Sequence, residues 1–359
     1  VAIVPGALAT RDLSFRILSK IEMASGITSI VATLLLALAG AGVWALVLGT
    51  LLGAIVRSSA LLVFGENVWP IFSARGIGEY LKFGLTLATN RVSSFFVLQS
   101  DVLIGSAFLS TTEIGQYSVA RQLATLPMSK VMGTINQITM PAVSQQQGNL
   151  PHLRKTVLNS LGFIALIAFP VLWGISAVAP ELILVLLGPK WLQAVPALVI
   201  LPLIIPVRMI SSVLFTISLA LGNRQLDLRN TIVTFALIPS GFFVGAHWGL
   251  VGLCAAWLVS LPLVYAFVVP AVLQFIGLRG LEFLAECGPP AVAAAVMYAA
   301  IWALRSALAG QSAVVALLAL VAAGALVYIV AIALVSRRHL VGARSFARLL
   351  QGRSAPKPV

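Results

Sequence analysis

Six charged side chains sit inside stretches too apolar to hold them without partners: the bases Arg57, Arg91, Arg121, Lys130 and Arg208, and the acid Asp101. A charge at hydrocarbon depth costs at least ~2.5–3.5 kcal/mol, so such groups face a bundle interior or a water-filled cavity. Arg91 and Asp101 share one run, Leu81–Leu109. Ten helical residues at about 100° each leave them roughly 80° apart in azimuth and about 15 Å apart in height. They cannot neutralise one another, and each needs another partner or a ligand. Asp101 lies about seven residues before the end of its apolar run, and Arg121 about six residues into the next. A helical hairpin brings the two to similar depth, which predicts a structural Asp101–Arg121 ion pair. The competing role for Asp101 is a coupling-cation site.

With that pair set aside, the remaining deep charge is positive. Arg91, Lys130 and Arg208 predict a cationic cavity, which suits an anionic substrate through charge-assisted contacts to phosphate or carboxylate. The alternative is pairing with backbone carbonyls or snorkelling, an account that fits Arg57, Lys20 and Arg305 best because they lie toward helix ends. Asn90, Gln99 and Gln122 are polar cavity candidates for sugar hydroxyls, with interhelical hydrogen bonding as the competing use. Trp173, Trp191, Trp248, Trp257 and Trp302 read first as interfacial anchors.

Nothing in the chain looks catalytic. It has no paired membrane carboxylates, no Gly-rich phosphate loop, no HExxH and no DxD-like sugar-nucleotide site, and without a Walker A sequence it is no ATP-driven pump. Cys254 and Cys287 lack CxxC or Cys/His spacing, so no metal, disulfide or cofactor is expected.

The elements that place these residues are membrane helices. Of the 359 residues, 60% are hydrophobic and only 9% charged, against about 25% charged in soluble domains. The apolar runs continue for about 20 residues rather than alternating, which excludes a transmembrane barrel and predicts an all-α polytopic bundle. Ten complete spans are expected, near residues 21–39, 43–64, 83–108, 115–143, 153–187, 194–221, 231–246, 249–275, 289–308 and 312–335. Pro170 is expected to kink the fifth, and a short interfacial turn to follow Pro180. Prolines 196, 202 and 206 are expected to interrupt the sixth. Gly222–Asn230 is expected to be a charged loop, and a polar connection to precede the last two spans. The net charge of +13 is spread over short loops rather than clustered, so nucleic acid is not the expected partner. One set of connections holds sixteen of the 23 basic residues and the other holds only Lys190. That asymmetry puts the first set, the C-terminus included, in the cytoplasm.

Two further patterns stand out. LATRDLSFR (Leu8–Arg16) is echoed by LALGNRQLDLR (Leu219–Arg229), and GVWALVLG (Gly42–Gly49) by GLVGLCAAW (Gly249–Trp257). A parallel duplication would explain both pairs. The opening residues VAIVPGALA read as the tail of a helix, and a longer protein is expected.

The runs TRDLSFRILSKIE, EYLKFGLTL, QSDVLIGSAFLSTTEIGQYSVARQLATLP, PAVSQQQ, APELILVLLGPKWLQAVPAL and LALGNRQLDLRN resemble the polysaccharide transport, or Wzx-type oligosaccharide flippase, family of the MATE-like superfamily. The resemblance covers nearly the whole chain and weakens after about Phe275. It implies a two-lobe bundle in which the ten spans are helices 5–14 of fourteen. Residues 1–64 would then belong to the N-terminal lobe, 65–82 to a cytoplasmic linker, 83–275 to a six-helix C-terminal lobe, 276–336 to a terminal pair, and 337–359 to a basic tail. It also implies a bacterial inner-membrane protein that translocates undecaprenyl-pyrophosphate-linked oligosaccharides by alternating access, for exopolysaccharide, capsule or O-antigen synthesis. Its partners would be that lipid-linked substrate, membrane lipids and the polysaccharide polymerase machinery. A cation-coupled multidrug exporter is the alternative function, and a membrane glycosyltransferase or polymerase stands behind it.

Overall fold

A computed structural model of the chain describes residues 15–64, 77–127, 150–220, 224–308 and 310–336. Every regular element among them is helical: α1 (Phe15–Leu38), α2 (Trp44–Phe64), α3 (Ile77–Phe108), α4 (111–127), α5 (Leu150–Ala177), α6 (Ala179–Leu186), a 3₁₀ turn (Pro189–Ala194), α7 (Val195–Ala220), α8 (Arg224–Ala246), α9 (Gly249–Ile276), α10 (Gly280–Ala307) and α11 (Ala313–Val335). Eight of the described helices are long and apolar enough to cross a membrane. Their backbone groups are satisfied within each helix, which is what hydrocarbon demands of a spanning segment. Leu318, Leu326 and Leu334 stand exposed on α11, as lipid-facing side chains must. The chain is an α-helical, multi-pass membrane protein.

It divides into two compact units, residues 1–86 and 87–359. In the first, α1 and α2 form a hairpin closed by small residues. A Cβ at Gly49 would fall 1.9 Å from Thr33 Oγ1, and one at Gly53 2.8 Å from Ser29 Cβ. Such seams let backbones approach closely, the membrane substitute for a hydrophobic driving force. The α8–α9 hairpin of the second unit repeats the device. A Cβ on Gly252 would meet Gly245 O at 2.2 Å, and one on Gly241 would meet Ser260 Oγ at 1.8 Å. Both hairpins turn on a glycine with positive φ, Gly42 (54°) and Gly249 (70°). The seam residues follow at the same offsets: Ala45, Gly49 and Gly53 after the first, Gly252, Ala256 and Ser260 after the second, each 3, 7 and 11 positions on. The echo in the sequence is therefore an echo of packing register.

In the second unit, α5 packs on α7 and α10, α9 on α7 and α8, and α10 on α11. The core between them holds Leu161, Ile164, Leu172, Leu198, Leu214 and Leu253, all fully buried. The connection from α3 to α4 is a capping box, Ser110-Thr111-Thr112-Glu113. The Ser110 backbone N–H donates to Glu113 Oε2 (2.9 Å), and the Glu113 N–H donates to Ser110 Oγ (3.3 Å). These bonds, with one from the Ser110 hydroxyl, hold the Glu113 carboxyl below its ordinary range. At the opposite end of the bundle, Arg154 Nε donates to Ile276 O (3.0 Å), placing a cation on the C-terminus of α9.

The fifth expected span divides near Pro180: α5 is continuous through Pro170 and stops at Ala177, and a short helix follows with Pro180 in its first turn, where proline is best accommodated. Three expectations change. The α7 helix continues through Pro202 and Pro206. The stretch expected as a charged loop is already helical from Arg224. The polar connection before the last two spans ends at Arg279, where Glu282 reaches back to the Arg279 N–H (3.1 Å) and starts α10 nine residues early. In the last two cases local capping or propensity outweighs polarity, which marks where a helix leaves the membrane and not where it begins.

Candidate functional site

The α3–α4 turn sets the geometry of the site, since it places the last turns of α3 beside the first turns of α4. Asp101 is fully buried and lies against Arg121, whose Nη1 is 2.6 Å from Oδ1 and 2.5 Å from Oδ2. The Val102 N–H also donates to Oδ1 (2.8 Å). The other guanidinium nitrogen donates to Gln99 Oε1 (2.5 Å), so Gln99 is engaged in holding Arg121. Gln122, one residue on, is exposed.

Two residues complete the cluster that the sequence reading left out. The Tyr117 hydroxyl donates to Asp101 Oδ2 (2.5 Å), and the Trp257 indole N–H donates to Tyr117 Oη (2.8 Å). Tyr117 is fully buried and Trp257 only 4% exposed. Trp257 is thus an interior residue, not the interfacial anchor expected of it. It lies eight residues into α9, and Phe242 of α8 packs edge-on to its ring at 4.8 Å.

Arg208 of α7 stands over the Trp257 ring, its guanidinium carbon 5.4 Å from the centroid. It is half-buried, and among the described residues no carboxylate pairs with it. Of the other span arginines with described side chains, Arg121 pairs with Asp101, Arg57 with Glu22 (2.7 Å) and Arg305 with Glu181 (2.8 Å), while Arg154 and Arg229 donate to the backbone carbonyls of Ile276 and Phe267. Arg57 and Arg305 thus have carboxylate partners. Arg305 also donates to Ala177 O, which ties α10 to the break between α5 and α6.

Of the remaining candidates, Asn90 and Arg91 fall on α3, but their side chains lie outside the described residues, as does all of Lys130. Cys254 and Cys287 are buried free thiols, and no metal-ligating cluster occurs among the described residues.

Comparison with known proteins fits this arrangement. The chain is 27% identical over 258 residues to an uncharacterized membrane protein in the cps region of Klebsiella pneumoniae, covering 70% of this chain and 53% of that one. It is 24% identical to the lipopolysaccharide biosynthesis protein WzxC of Escherichia coli (70% and 52% covered) and 26% identical to the succinoglycan biosynthesis transport protein ExoT of Rhizobium meliloti (55% and 40%). The chain spans about half the length of these curated relatives. Among solved structures, the lipid II flippase MurJ in an inward closed conformation shares the fold, with a TM-score of 0.70 at 17% identity over 89% of this chain and 67% of that one. Residues 1–196 match the family described as Polysaccharide biosynthesis protein, and the chain belongs to that family.

Proposed function

We propose that this chain belongs to a flippase that moves polyprenyl-pyrophosphate-linked oligosaccharide repeat units across a bacterial inner membrane, by alternating access of two lobes and without covalent chemistry. The observation that carries the reading is Arg208, a membrane-embedded cation resting on an aromatic ring, with no carboxylate paired to it among the described residues. A cation without a carboxylate has its hydrogen-bond donors available for an anion, and pyrophosphate offers the strongest such match. Arg91 and Lys130 would add to that charge, and Asn90 and Gln122 would face sugar hydroxyls. Asp101, already accepting from Arg121 and Tyr117, serves the fold in this reading. The family and the names of the relatives support saccharide export, and the cation is the reason for reading the pyrophosphate as the part the site would grip. The basic connections, including the C-terminus, would face the cytoplasm.

The test is complementation in a strain lacking its own flippase. Wild type restores surface polysaccharide, whereas well-expressed Arg208→Ala leaves the lipid-linked repeat unit in the inner leaflet. Restoration by Arg208→Ala would remove the site. Failure of correctly inserted wild type with several different repeat units would turn the assignment toward a small-molecule exporter. A C-terminal alkaline phosphatase fusion that is inactive, beside an active fusion at Lys190, would support the orientation.

A further inference from the structure

Resting on that reading of Arg208, we infer that Trp257 and Tyr117 are positioning residues, which hold the Arg208 guanidinium for an anion by a route that leaves it charged and unneutralised. The unbroken chain of contacts is Arg208 over the Trp257 ring (5.4 Å), Trp257 Nε1–H to Tyr117 Oη (2.8 Å), and Tyr117 Oη–H to Asp101 Oδ2 (2.5 Å). Its direction is fixed chemically. Indole N–H only donates, so it takes the phenol as acceptor and directs the phenol's own proton to the carboxylate. Asp101 is in turn anchored by Arg121, so the chain ends on a buried ion pair. Phe242, edge-on at 4.8 Å, restrains the ring from the side of α8.

A carboxylate could hold an arginine as firmly, and three arginines in this bundle are held that way. It would also occupy the N–H groups and cancel the charge that an incoming pyrophosphate needs. An aromatic face restrains the guanidinium through its π surface and leaves the in-plane donors unspent. The bundle therefore uses Asp101 at second hand, two hydrogen bonds away from the cation it places.

Binding of undecaprenyl pyrophosphate, with undecaprenyl phosphate as the weaker-charged comparison, would be measured on the full-length protein in nanodiscs. Trp257→Leu should weaken pyrophosphate binding by about 3- to 30-fold. Tyr117→Phe, which keeps volume, and Trp257→Phe, which keeps an aromatic face for the guanidinium, both cut the chain and should each cost less, and the double variant should be no worse than the poorer single. In an Arg208→Ala background neither Phe substitution should change affinity further. A general packing role would lower affinity in that background too, and that outcome overturns the inference, as does wild-type affinity in Trp257→Phe and Tyr117→Phe alike. Wild-type affinity in Arg208→Ala would instead remove the anion site on which the inference rests.

Discussion

Cutting the Asp101–Arg121 pair from its two ends should give unequal losses. Asp101 is fully buried and accepts from Arg121, Tyr117 and the Val102 N–H. Arg121 keeps a quarter of its side chain exposed. Arg121→Met therefore leaves a carboxylate sealed in the bundle with two neutral donors. Breaking a buried pair this way costs about 3–5 kcal/mol, because the remaining charge is uncompensated. Asp101→Asn removes the buried charge and keeps one oxygen to accept from Tyr117 or Arg121, while Arg121 can turn to water and still reach Gln99. Its cost is that of charge-assisted hydrogen bonds, about 1.5–3 kcal/mol. The double variant should fall short of the sum by about 1–3 kcal/mol, since the two groups share one interaction. The assay is reversible unfolding by SDS in mixed micelles, followed by far-UV circular dichroism, with Lys190→Met as a surface control. Equal losses from the two singles, or strict additivity in the double, would refute the argument that the carboxylate is the group that cannot be left alone.

Three other outcomes follow from named contacts. Gly277→Ala should lower stability by about 1–3 kcal/mol, because φ there is 74° and the new Cβ would lie 2.0 Å from Arg154 Nη2; thermal melts in wild-type and Arg154→Ala backgrounds should show the loss partly relieved in the second. Gly49→Leu should prevent the α1–α2 hairpin from closing, given the 1.9 Å approach to Thr33, and a cysteine crosslink between the two helices should disappear with it. The capping box gives a pH effect whose sign is set by the depressed Glu113 carboxyl: its contribution is present above the unfolded-state pKa and is lost as pH falls through the lower folded value. Ser110→Ala should move the Glu113 titration midpoint, read by carbon-13 NMR, back up toward the ordinary carboxylate range.

Charge placement and span length made much of this legible. A carboxylate and a guanidinium at matched depth on consecutive helices have little choice but to meet, and Asp101 and Arg121 do. Hydropathy located the eight described helices long and apolar enough to cross a membrane, because hydrocarbon thickness is a strong constraint on length. It could not locate helix starts, since Arg224 and Gly280 begin their helices in polar sequence through caps and propensity that hydropathy does not weigh. Tyr117 and Trp257 were missed for a different reason. A tryptophan near a membrane end looks the same in sequence whether its ring faces headgroups or a neighbouring helix, and only the packing of α8 on α9 decides between them. Arg57 and Arg305 found acids, Glu22 and Glu181, that lie 35 and 124 positions away. Pairing at those separations is set by packing, which span-by-span reading does not see.

The glycine seams carry a consequence for biogenesis. Gly241, Gly245, Gly252, Ala256 and Ser260 fall within twenty residues of chain, and so do the contacts that close the α8–α9 hairpin. The hairpin needs nothing synthesised later in order to form. Loop-closure entropy for so short a separation is small. Helices α8 and α9 can accordingly leave the translocon already clasped, with the α7-facing side of α9 still to be covered. The same holds for α1 and α2. A substitution in either seam should then register first as a failure of insertion in pairs, visible in pulse-labelled membranes before any folded protein exists to be unstable.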